Sequence, residues 1–191
     1  VPEKSFVGTA PAVTVVREDV NGTKASATYT PTVTSVTPTA TPAESTGPQG
    51  VVQTGTVTFT EGDSVAPIDK DTITLLDENG QPAAAVFAKS PAGNIIGTFT
   101  VDKDTGVVTF TPTDKSYSGD VVPVKVQAAD TNGTTVETTY TPKITPVVPT
   151  SEDATSTDIQ GATQTGKPTF TEGDPNVPID EDTPATFEDG S

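Results

Sequence analysis

VKVQAADTNGTTVETTY, residues 124–140, is the stretch of sequence that decides the fold. Apolar residues occupy every second position before its turn, at Val124, Val126 and Ala128, and the alternation resumes after it. Alternation with a period of two is typical of a strand with one buried face. Asn132-Gly133 lies between the two runs and favours a tight hairpin, because both residues tolerate positive φ. The stretch therefore predicts two antiparallel strands joined at Asn132-Gly133.

The same alternation recurs along the chain. Apolar pairs of this kind are Val57 and Phe59, Ile73 and Leu75, Phe99 and Val101, Val108 and Phe110, and Val136 and Tyr140. Turn signals separate the runs at Asn79-Gly80 and at residues 102–106. About seven short strands in about 110 residues predict an all-β fold, an immunoglobulin-like antiparallel β-sandwich. The Ala-rich piece at residues 82–88 fits either a strand or one turn of helix.

Blocks of the sequence return at a fixed offset. Residues 4–6, 28–31, 59–63 and 67–69 reappear as residues 115–117, 139–142, 170–174 and 178–180. The differences 115 − 4, 139 − 28 and 170 − 59 are all 111. A period of this length is that of a self-contained domain, because solenoid units span only about 20–50 residues.

The offset divides the chain into three parts. Residues 1–43 form the C-terminal part of one repeat with its linker, residues 44–153 form one complete repeat with its linker, and residues 154–191 form the N-terminal part of the next. Residue 1 corresponds to residue 112 and residue 191 to residue 80, so the outer parts together lack counterparts of residues 81–111. We therefore expect the sequence to be a window on a longer array of tandem β-sandwich repeats.

Residues with an architectural role follow from the same alignment. The predicted core consists of Phe59, Phe99, Val108, Phe110, Val124, Val126 and Tyr140. Pro123 falls inside a predicted strand, where it has no N–H to donate to the ladder, and so marks an edge or a strand start. The proline of the earlier copy, Pro11, aligns with Val122 instead, and this shift favours an edge strand over a central one.

Thr-Pro-rich segments join the repeats at residues 37–42 and 146–150. Proline fixes its own φ and biases the preceding residue toward extended geometry. The segments are therefore predicted to be semi-rigid spacers rather than flexible tethers, and domains joined by stiff spacers form a rod.

Composition excludes several classes of function. The chain has 26 acidic and 10 basic residues and a formal net charge of −16, which repels nucleic acid and anionic membrane. It has no Cys, so a disulfide, a thiolate metal site and a Cys nucleophile are excluded. It has no His either, and no pair of carboxylates stands out as an acid and a base. We therefore predict no enzymatic activity, no catalytic residue and no cofactor, and neither nucleic-acid binding nor membrane insertion by this segment.

Pairs of carboxylates two residues apart occur at Asp69 and Asp71 and at Asp102 and Asp104, a spacing also seen among calcium ligands. The calcium-loop pattern is not met, because Thr105 precedes Gly106 and no bidentate Glu follows at the required distance. Turn acids are the simpler interpretation, and no metal ligand is predicted. The recurrence of such acids at the repeat offset leaves calcium open as an alternative.

Two covalent modifications have matching residue types. Asn21-Gly22-Thr23 and Asn132-Gly133-Thr134 fit the N-glycosylation pattern, although a hairpin turn already accounts for both. Lys115 and Asn132 are the residue types of an intramolecular Lys-to-Asn amide bond. That bond requires the two side chains and an acid to converge in an apolar core, whereas Asn132 is predicted to lie in a turn.

A carbohydrate-binding module is an alternative function, from a different class than a structural repeat. Sugar sites present aromatic platforms, but the chain has no Trp and only Tyr29, Tyr117 and Tyr140. Tyr29 and Tyr140 occupy the same repeat position, and Tyr117 aligns with Phe6. All three tyrosines are therefore predicted to be core or corner aromatics.

The repeated blocks resemble a known family. They are a Gln-Gly-x-x-Gln-Thr-Gly opening within residues 46–55 and 157–166, a Thr-Phe-Thr-Glu-Gly-Asp block followed by Pro-Ile-Asp, and a Lys-Ser-Phe/Tyr-x-Gly segment. In this order the blocks are similar to the CshA-type fibril repeat of streptococcal and related Gram-positive surface adhesins, and the resemblance covers all 191 residues.

The resemblance implies a function. In that family a run of repeats forms a fibrillar stalk of a cell-wall-anchored extracellular protein, and the stalk projects an adhesive N-terminal region for host or interbacterial attachment. The implied partners are neighbouring repeats of the same chain and a host matrix protein such as fibronectin, bound by regions outside this sequence. The alternative is that the repeat is itself a binding module for a host matrix protein or a glycan.

Overall fold

A computed structural model describes residues 3–188, which form strands and turns and no helix. In chain order the strands are β1 (Gly8–Thr9), β2 (Val13–Glu18), β3 (Lys24–Tyr29), β4 (Thr32–Val33), β5 (Thr39–Thr41), β6 (Ala43–Pro48), β7 (Gln53–Thr56), β8 (Thr58–Thr60), β9 (Ile68–Leu76), β10 (Pro82–Ala83), β11 (Ala85–Lys89), β12 (Ile95–Asp102), β13 (Val107–Pro112), β14 (Gly119–Asp120), β15 (Val124–Asp130), β16 (Thr135–Thr145), β17 (Thr150–Glu152) and β18 (Thr169–Thr171). The all-β prediction is confirmed.

Two sheets form the central sandwich. One has the strand order β10-β9-β15-β16-β14, and β6 lies parallel to β16 beside it. The other has the order β11-β12-β13-β7 and is antiparallel throughout. The chain passes from the first sheet to the second between β6 and β7, through a turn at Gly50, whose φ is +78°. The antiparallel sandwich predicted from the alternation is therefore present.

The core lies between these two sheets. Leu75, Val126 and Tyr140 point into it from the first sheet, and Phe99 and Phe110 from the second; all are at most 1% exposed. The rings of Phe99 and Tyr140 meet edge to face with centroids 6.0 Å apart, and Phe99 lies 5.6 Å from Phe110. Aromatic pairs prefer such tilted geometries, so these contacts fix how the sheets face each other.

Of the seven predicted core residues, six are buried, and Phe59 is only partly buried. Phe59 packs against the core from β8, a strand that belongs to neither large sheet. The prediction for Phe59 was wrong in this respect, because its alternation with Val57 reflects pairing of β8 with another segment, β5. Residues 82–88, left open between strand and helix, supply β10 and most of β11.

Pro123 immediately precedes β15, so the strand-start interpretation is correct. The preference for an edge strand was wrong, because β15 lies between β9 and β16. The missing N–H does not interrupt the ladder, since pairing begins only at Val124. The preceding N–H, of Val122, donates to the carbonyl of Lys89 in the other sheet.

The hairpin between β15 and β16 is present, but its turn differs from the one expected. Only Gly133 has positive φ, at +87°, and Asn132 does not. Asp130 organises the turn: its Oδ1 accepts the N–H groups of Asn132 and Thr134 at 2.9 Å each, and its carbonyl accepts that of Gly133. This is the three-residue loop with a glycine bulge rather than a two-residue turn.

The first strands of the chain repeat this pairing. β2 pairs with β3 in the register of the β15–β16 ladder, and β1 pairs with β4 in that of the β14–β16 ladder. Each residue lies 111 positions before its counterpart: Val13 pairs with Tyr29 as Val124 pairs with Tyr140. Asp19 accepts the N–H groups of Asn21 and Thr23 as Asp130 does those of Asn132 and Thr134. The burial differs, however, because Tyr29 is 66% exposed and not the core or corner residue that we predicted.

Candidate functional site

The segment between the first strands and the sandwich is the most distinctive site of the molecule. β5, from the Thr-Pro-rich segment, pairs antiparallel with β8, and Ala40 lies opposite Phe59. The other Thr-Pro-rich segment leads into β17, which begins at Thr150 and pairs with β18 so that Ser151 lies opposite Phe170. The two ladders have the same register, because 151 − 40 and 170 − 59 are both 111. Each spacer predicted from its prolines is therefore partly a strand that is hydrogen-bonded to the segment after it.

A glycine makes this pairing possible. A Cβ added to Gly62 would lie 2.4 Å from the carbonyl oxygen of Thr37, and one added to Gly173 would lie 2.4 Å from that of Val148. Real side chains do not approach backbone atoms this closely, so both positions require glycine. The glycine of the Thr-Phe-Thr-Glu-Gly-Asp block is thus the place where the backbone of the spacer crosses the next segment.

The aspartate of the same block begins a turn. Asp63 Oδ1 accepts the N–H of Val65 at 2.9 Å, and Asp174 Oδ1 accepts that of Asn176 at 2.8 Å. Such side-chain bonds to the backbone two residues on are typical of Asx turns. In sequence the block was recognisable only as a repeated motif. The structure gives its parts separate tasks: strand pairing, close backbone approach and a turn.

The first strands also touch the sandwich directly. Lys4 Nζ donates to the carbonyl of Thr131 in the central hairpin turn at 3.2 Å. A cleft of about 750 Å³ lies alongside, with Phe6 and Val36 on one side and Val65 and Asn132 on the other. The spacer is anchored beside this cleft by Pro38, which is buried. The junction defined by β5, β8, Gly62 and the Lys4 contact is called the first junction below.

The Gln-Gly-x-x-Gln-Thr-Gly motif fastens the start of the sandwich to its end. Gln49 Nε2 donates to the carbonyl of Ser116 at 3.0 Å, and Gln49 Oε1 accepts the N–H of Val147 at 2.6 Å. Gln53 is 6% exposed, and its Nε2 donates to the carbonyl of Lys143 at 3.1 Å. These glutamines were missed as functional residues, because a polar residue in a short motif does not reveal partners that lie 67 to 98 residues away.

Tyr140 completes this network inside the core. Its hydroxyl and Ser45 Oγ are 2.7 Å apart, and Ser45 in turn donates to Gln53 Oε1 at 2.7 Å. Burial raises the pKa of Tyr140, and the hydrogen bond with Ser45 partly opposes that rise. Gly55, the last residue of the motif, lies against this ring, because an added Cβ would be 2.4 Å from Tyr140 Cε2.

Asp102 and Asp104 lie at the turn that follows β12, as expected of turn acids. Asp69 and Asp71 lie instead within β9, where its register with β15 shifts, so the turn interpretation was wrong for that pair. Asp102 Oδ1 accepts the N–H of Asp104 at 2.9 Å, and Asp69 Oδ1 that of Asp71 at 3.1 Å. The bond from the Asp104 backbone lowers the pKa of Asp102, and the hydroxyl of Ser116 lowers that of Asp114. Within residues 3–188, no three acidic side chains are close enough to hold one metal ion.

The residues considered for covalent modification lie outside the core. Lys115 is exposed and its side chain runs beside Gly50, whereas Asn132 stands in the central hairpin turn, at the cleft of the first junction. Both asparagines of the glycosylation pattern occupy turns that an aspartate and a glycine organise. The convergence in an apolar core that an amide bond requires is not seen for Lys115 and Asn132.

Comparison with known families identifies the repeat. A family model described as the surface adhesin CshA repetitive domain matches residues 1–33, 35–144 and 146–191. The chain belongs to the CshA repeat family. It is therefore an adhesin repeat and part of an extracellular, cell-surface protein. CshA repeats are adhesion domains and not enzymes. No match to a curated protein was found.

Solved structures similar to this CshA repeat segment include three cadherin ectodomains. The protocadherin gammaB4 extracellular domain is 14% identical with a TM-score of 0.40, protocadherin gamma B2 domains 1–5 are 15% identical with 0.35, and mouse cadherin-23 EC22-24 is 16% identical with 0.32. They cover 86%, 87% and 73% of this chain, respectively. The chain spans only 31%, 39% and 43% of theirs.

The part of the chain that the structure describes contains no helix of the length and apolarity needed to cross a membrane.

Proposed function

We propose that this segment is part of the stalk of a fibrillar adhesin. Repeats in series extend an adhesive region away from the cell wall, and that region, together with the wall anchor, lies outside residues 1–191. Attachment to a host matrix protein such as fibronectin, or to other bacteria, belongs to that region. The function of the repeat is then mechanical and geometric: it sets the reach and the stiffness of the fibre.

The observation that carries the proposal is the recurrence of one junction geometry. β5 pairs with β8 and β17 pairs with β18 in the same register. In both places a glycine, which has no Cβ, allows a backbone carbonyl of the spacer to approach closely. A paired spacer has far less freedom than a tether of the same length, because its backbone is fixed by a ladder. Domains of about 110 residues joined in this way form an extended rod.

Small-angle X-ray scattering tests the stalk directly. Arrays of one, two and three 111-residue units are measured at physiological salt, and the maximum dimension should increase by one domain length per unit. A dimension that follows a flexible-coil law would contradict the proposal.

The glycine of the junction supplies a matched pair of variants. In Gly62→Ala the new Cβ collides with the backbone of Thr37, so β5 should separate from β8 and the arrays should become flexible. Gly80→Ala is the control for destabilisation without a clash at the junction, because its φ of +74° strains an alanine while the added Cβ meets nothing within 4 Å. Equal rigidity of both arrays would show that the ladder does not set the stiffness.

A competing function is that the repeat binds a host matrix protein or glycan itself. The surface that favours it is Phe87, which is 65% exposed and lines a cleft of about 230 Å³ with Val86 and Pro123. If this function is correct, arrays should bind a matrix protein saturably, with avidity that increases with the number of repeats, and Phe87→Ala should abolish binding. Absence of binding by arrays that remain rigid would leave the stalk as the function.

A further inference from the structure

The path of tension through the sandwich can be read from its topology. If the repeat belongs to a stalk, as proposed above, tension enters the sandwich after Pro42 and leaves it before Pro146. The first strand on this path is β6 and the last is β16. Any force along the fibre must therefore pass through whatever joins these two strands.

The two strands are parallel neighbours. Ala43 lies opposite Tyr140 and Pro48 opposite Thr145. Tension pulls β6 at its N-terminal end and β16 at its C-terminal end, and these are opposite ends of the shared ladder. The strands are thus drawn past each other along their length. In this direction all hydrogen bonds of the ladder resist together, whereas a pull at one end would break them one after another.

Side chains reinforce the same ladder. Gln53 reaches from the beginning of β7 to the carbonyl of Lys143, and Ser45 of β6 bonds with Tyr140 of β16. Thr145 Oγ1 donates to the carbonyl of Gly47 at 3.1 Å. Tyr140 is fully buried and Gln53 almost so, and a hydrogen bond shielded from water is stronger than an exposed one.

Gln49 extends the connection beyond the ladder. Its backbone N–H donates to the carbonyl of Thr145 at 2.9 Å, and its side chain accepts the N–H of Val147 and donates to Ser116. Val147 follows the point where tension leaves the sandwich. The bond from Val147 to Gln49 therefore lies directly on the path of force.

We propose that β6 and β16, with Ser45, Gln49, Gln53 and Tyr140, form a force-bearing clamp that keeps each repeat folded while the fibre is under tension. The Gln-Gly-x-x-Gln-Thr-Gly motif is then the mechanical element of the repeat. The clamp acts within one sandwich, whereas the stiffness of the stalk arises at the junctions between repeats.

Single-molecule pulling in two directions tests the clamp on the whole 191-residue chain. The chain has no cysteine, so pairs of introduced cysteines are unique attachment points. Pro42→Cys with Val148→Cys loads β6 and β16 in shear, and it also loads the bond between Val147 and Gln49. Val52→Cys with Val148→Cys loads the same strands from one end, at residues that are exposed. We expect a several-fold higher unfolding force in the first geometry at the same loading rate. Equal forces in the two geometries would overturn the clamp.

A side-chain variant separates the clamp from ordinary stability. Gln49→Ala should lower the unfolding force more in the shear geometry, where its bonds resist together with the ladder, than in the other geometry, where bonds break one after another. Gln127→Ala is the control, because within residues 3–188 the side chain of Gln127 bonds only with Glu137 of the neighbouring strand, at 3.4 Å. An equal loss of force in both geometries would mean that Gln49 is merely structural, and the clamp would be rejected. Scattering from the arrays is unaffected by that outcome, so the stalk and the clamp can fail separately.

Discussion

Two hairpins of nearly the same design have opposite surroundings in this molecule. The N-terminal hairpin, β2 and β3, and the central hairpin, β15 and β16, share their register and their aspartate turn. Tyr140 of the central hairpin is fully buried, while its counterpart Tyr29 is 66% exposed; Val126 is fully buried and Val15 is 56% exposed. The local sequence alone therefore sets strand pairing and turn, and burial depends on a second sheet.

The difference in burial follows from the residues that cover each hairpin. Phe99 and Phe110 cover the central hairpin, and the positions that would correspond to them at the repeat offset, 99 − 111 and 110 − 111, do not fall within residues 1–191. Hydrogen bonds make only a modest net contribution to folding, whereas buried apolar area is the dominant favourable term. Substitutions at equivalent positions should accordingly have unequal effects.

The largest expected difference is between Tyr140→Ala and Tyr29→Ala. Removing the buried ring should destabilise the sandwich by about 3–5 kcal/mol, because it leaves a cavity beside Phe99 and removes the hydrogen bond between Tyr140 and Ser45. Removing the exposed ring should change the free energy of unfolding by about 0.5 kcal/mol or less. Urea titration followed by circular dichroism measures both. Equal losses would mean that the N-terminal hairpin is covered in solution.

A smaller difference is expected at the turn glycines. Gly133→Ala forces an L-residue into positive φ and should destabilise the sandwich by about 1–2 kcal/mol. An added Cβ there meets nothing within 4 Å, so the effect is one of backbone conformation only. Gly22→Ala carries the same local strain but should leave the melting of the sandwich unchanged. Gly133→Asn should recover part of the loss, since Asn tolerates this conformation. No recovery by Asn would indicate a steric cause instead.

The smallest expected effect is the response to alkaline pH. Burial raises the pKa of Tyr140 above that of the unfolded chain, about 10. The stability due to its protonated form is fully present below pH 10 and is lost as the pH rises through the raised pKa. Tyr140→Phe should abolish this part of the loss above pH 10, and Tyr29→Phe should not. A loss of the same size in Tyr140→Phe would assign it to other groups.

The sequence predicted correctly the features that follow from a regular spacing of residues, either every second residue within a strand or every 111 residues between repeats. Alternation identified the strands and most of the core, and the repeat offset anticipated the matching registers. The predictions failed for residues whose place in a sheet depends on segments distant in sequence. Phe59 alternates correctly, yet it lies in the ladder with the spacer. Pro123 is tolerated before a central strand because pairing of that strand begins only at Val124.

The candidate sites show the same limit. Residues 37–42 were interpreted through proline alone, which predicts extended backbone but cannot reveal that β8 is available to pair with it. Gln49 and Gln53 were visible as parts of a motif, whereas their acceptors, the carbonyls of Ser116 and Lys143, are backbone atoms that no side-chain pattern encodes. The division into residues 1–43, 44–153 and 154–191 stays a prediction.

The pairing of β5 with β8 also decides where such a fibre can be divided. A fragment that begins after Thr41 leaves residues 58–60 with an uncovered strand edge, and uncovered edges recruit strands from other molecules. A fragment that begins a few residues earlier, before Pro38, retains β5, which pairs with β8 and covers this edge. Recombinant pieces, and pieces released when a protease cuts the fibre, should thus differ in their tendency to aggregate according to the side of this short strand on which the cut falls.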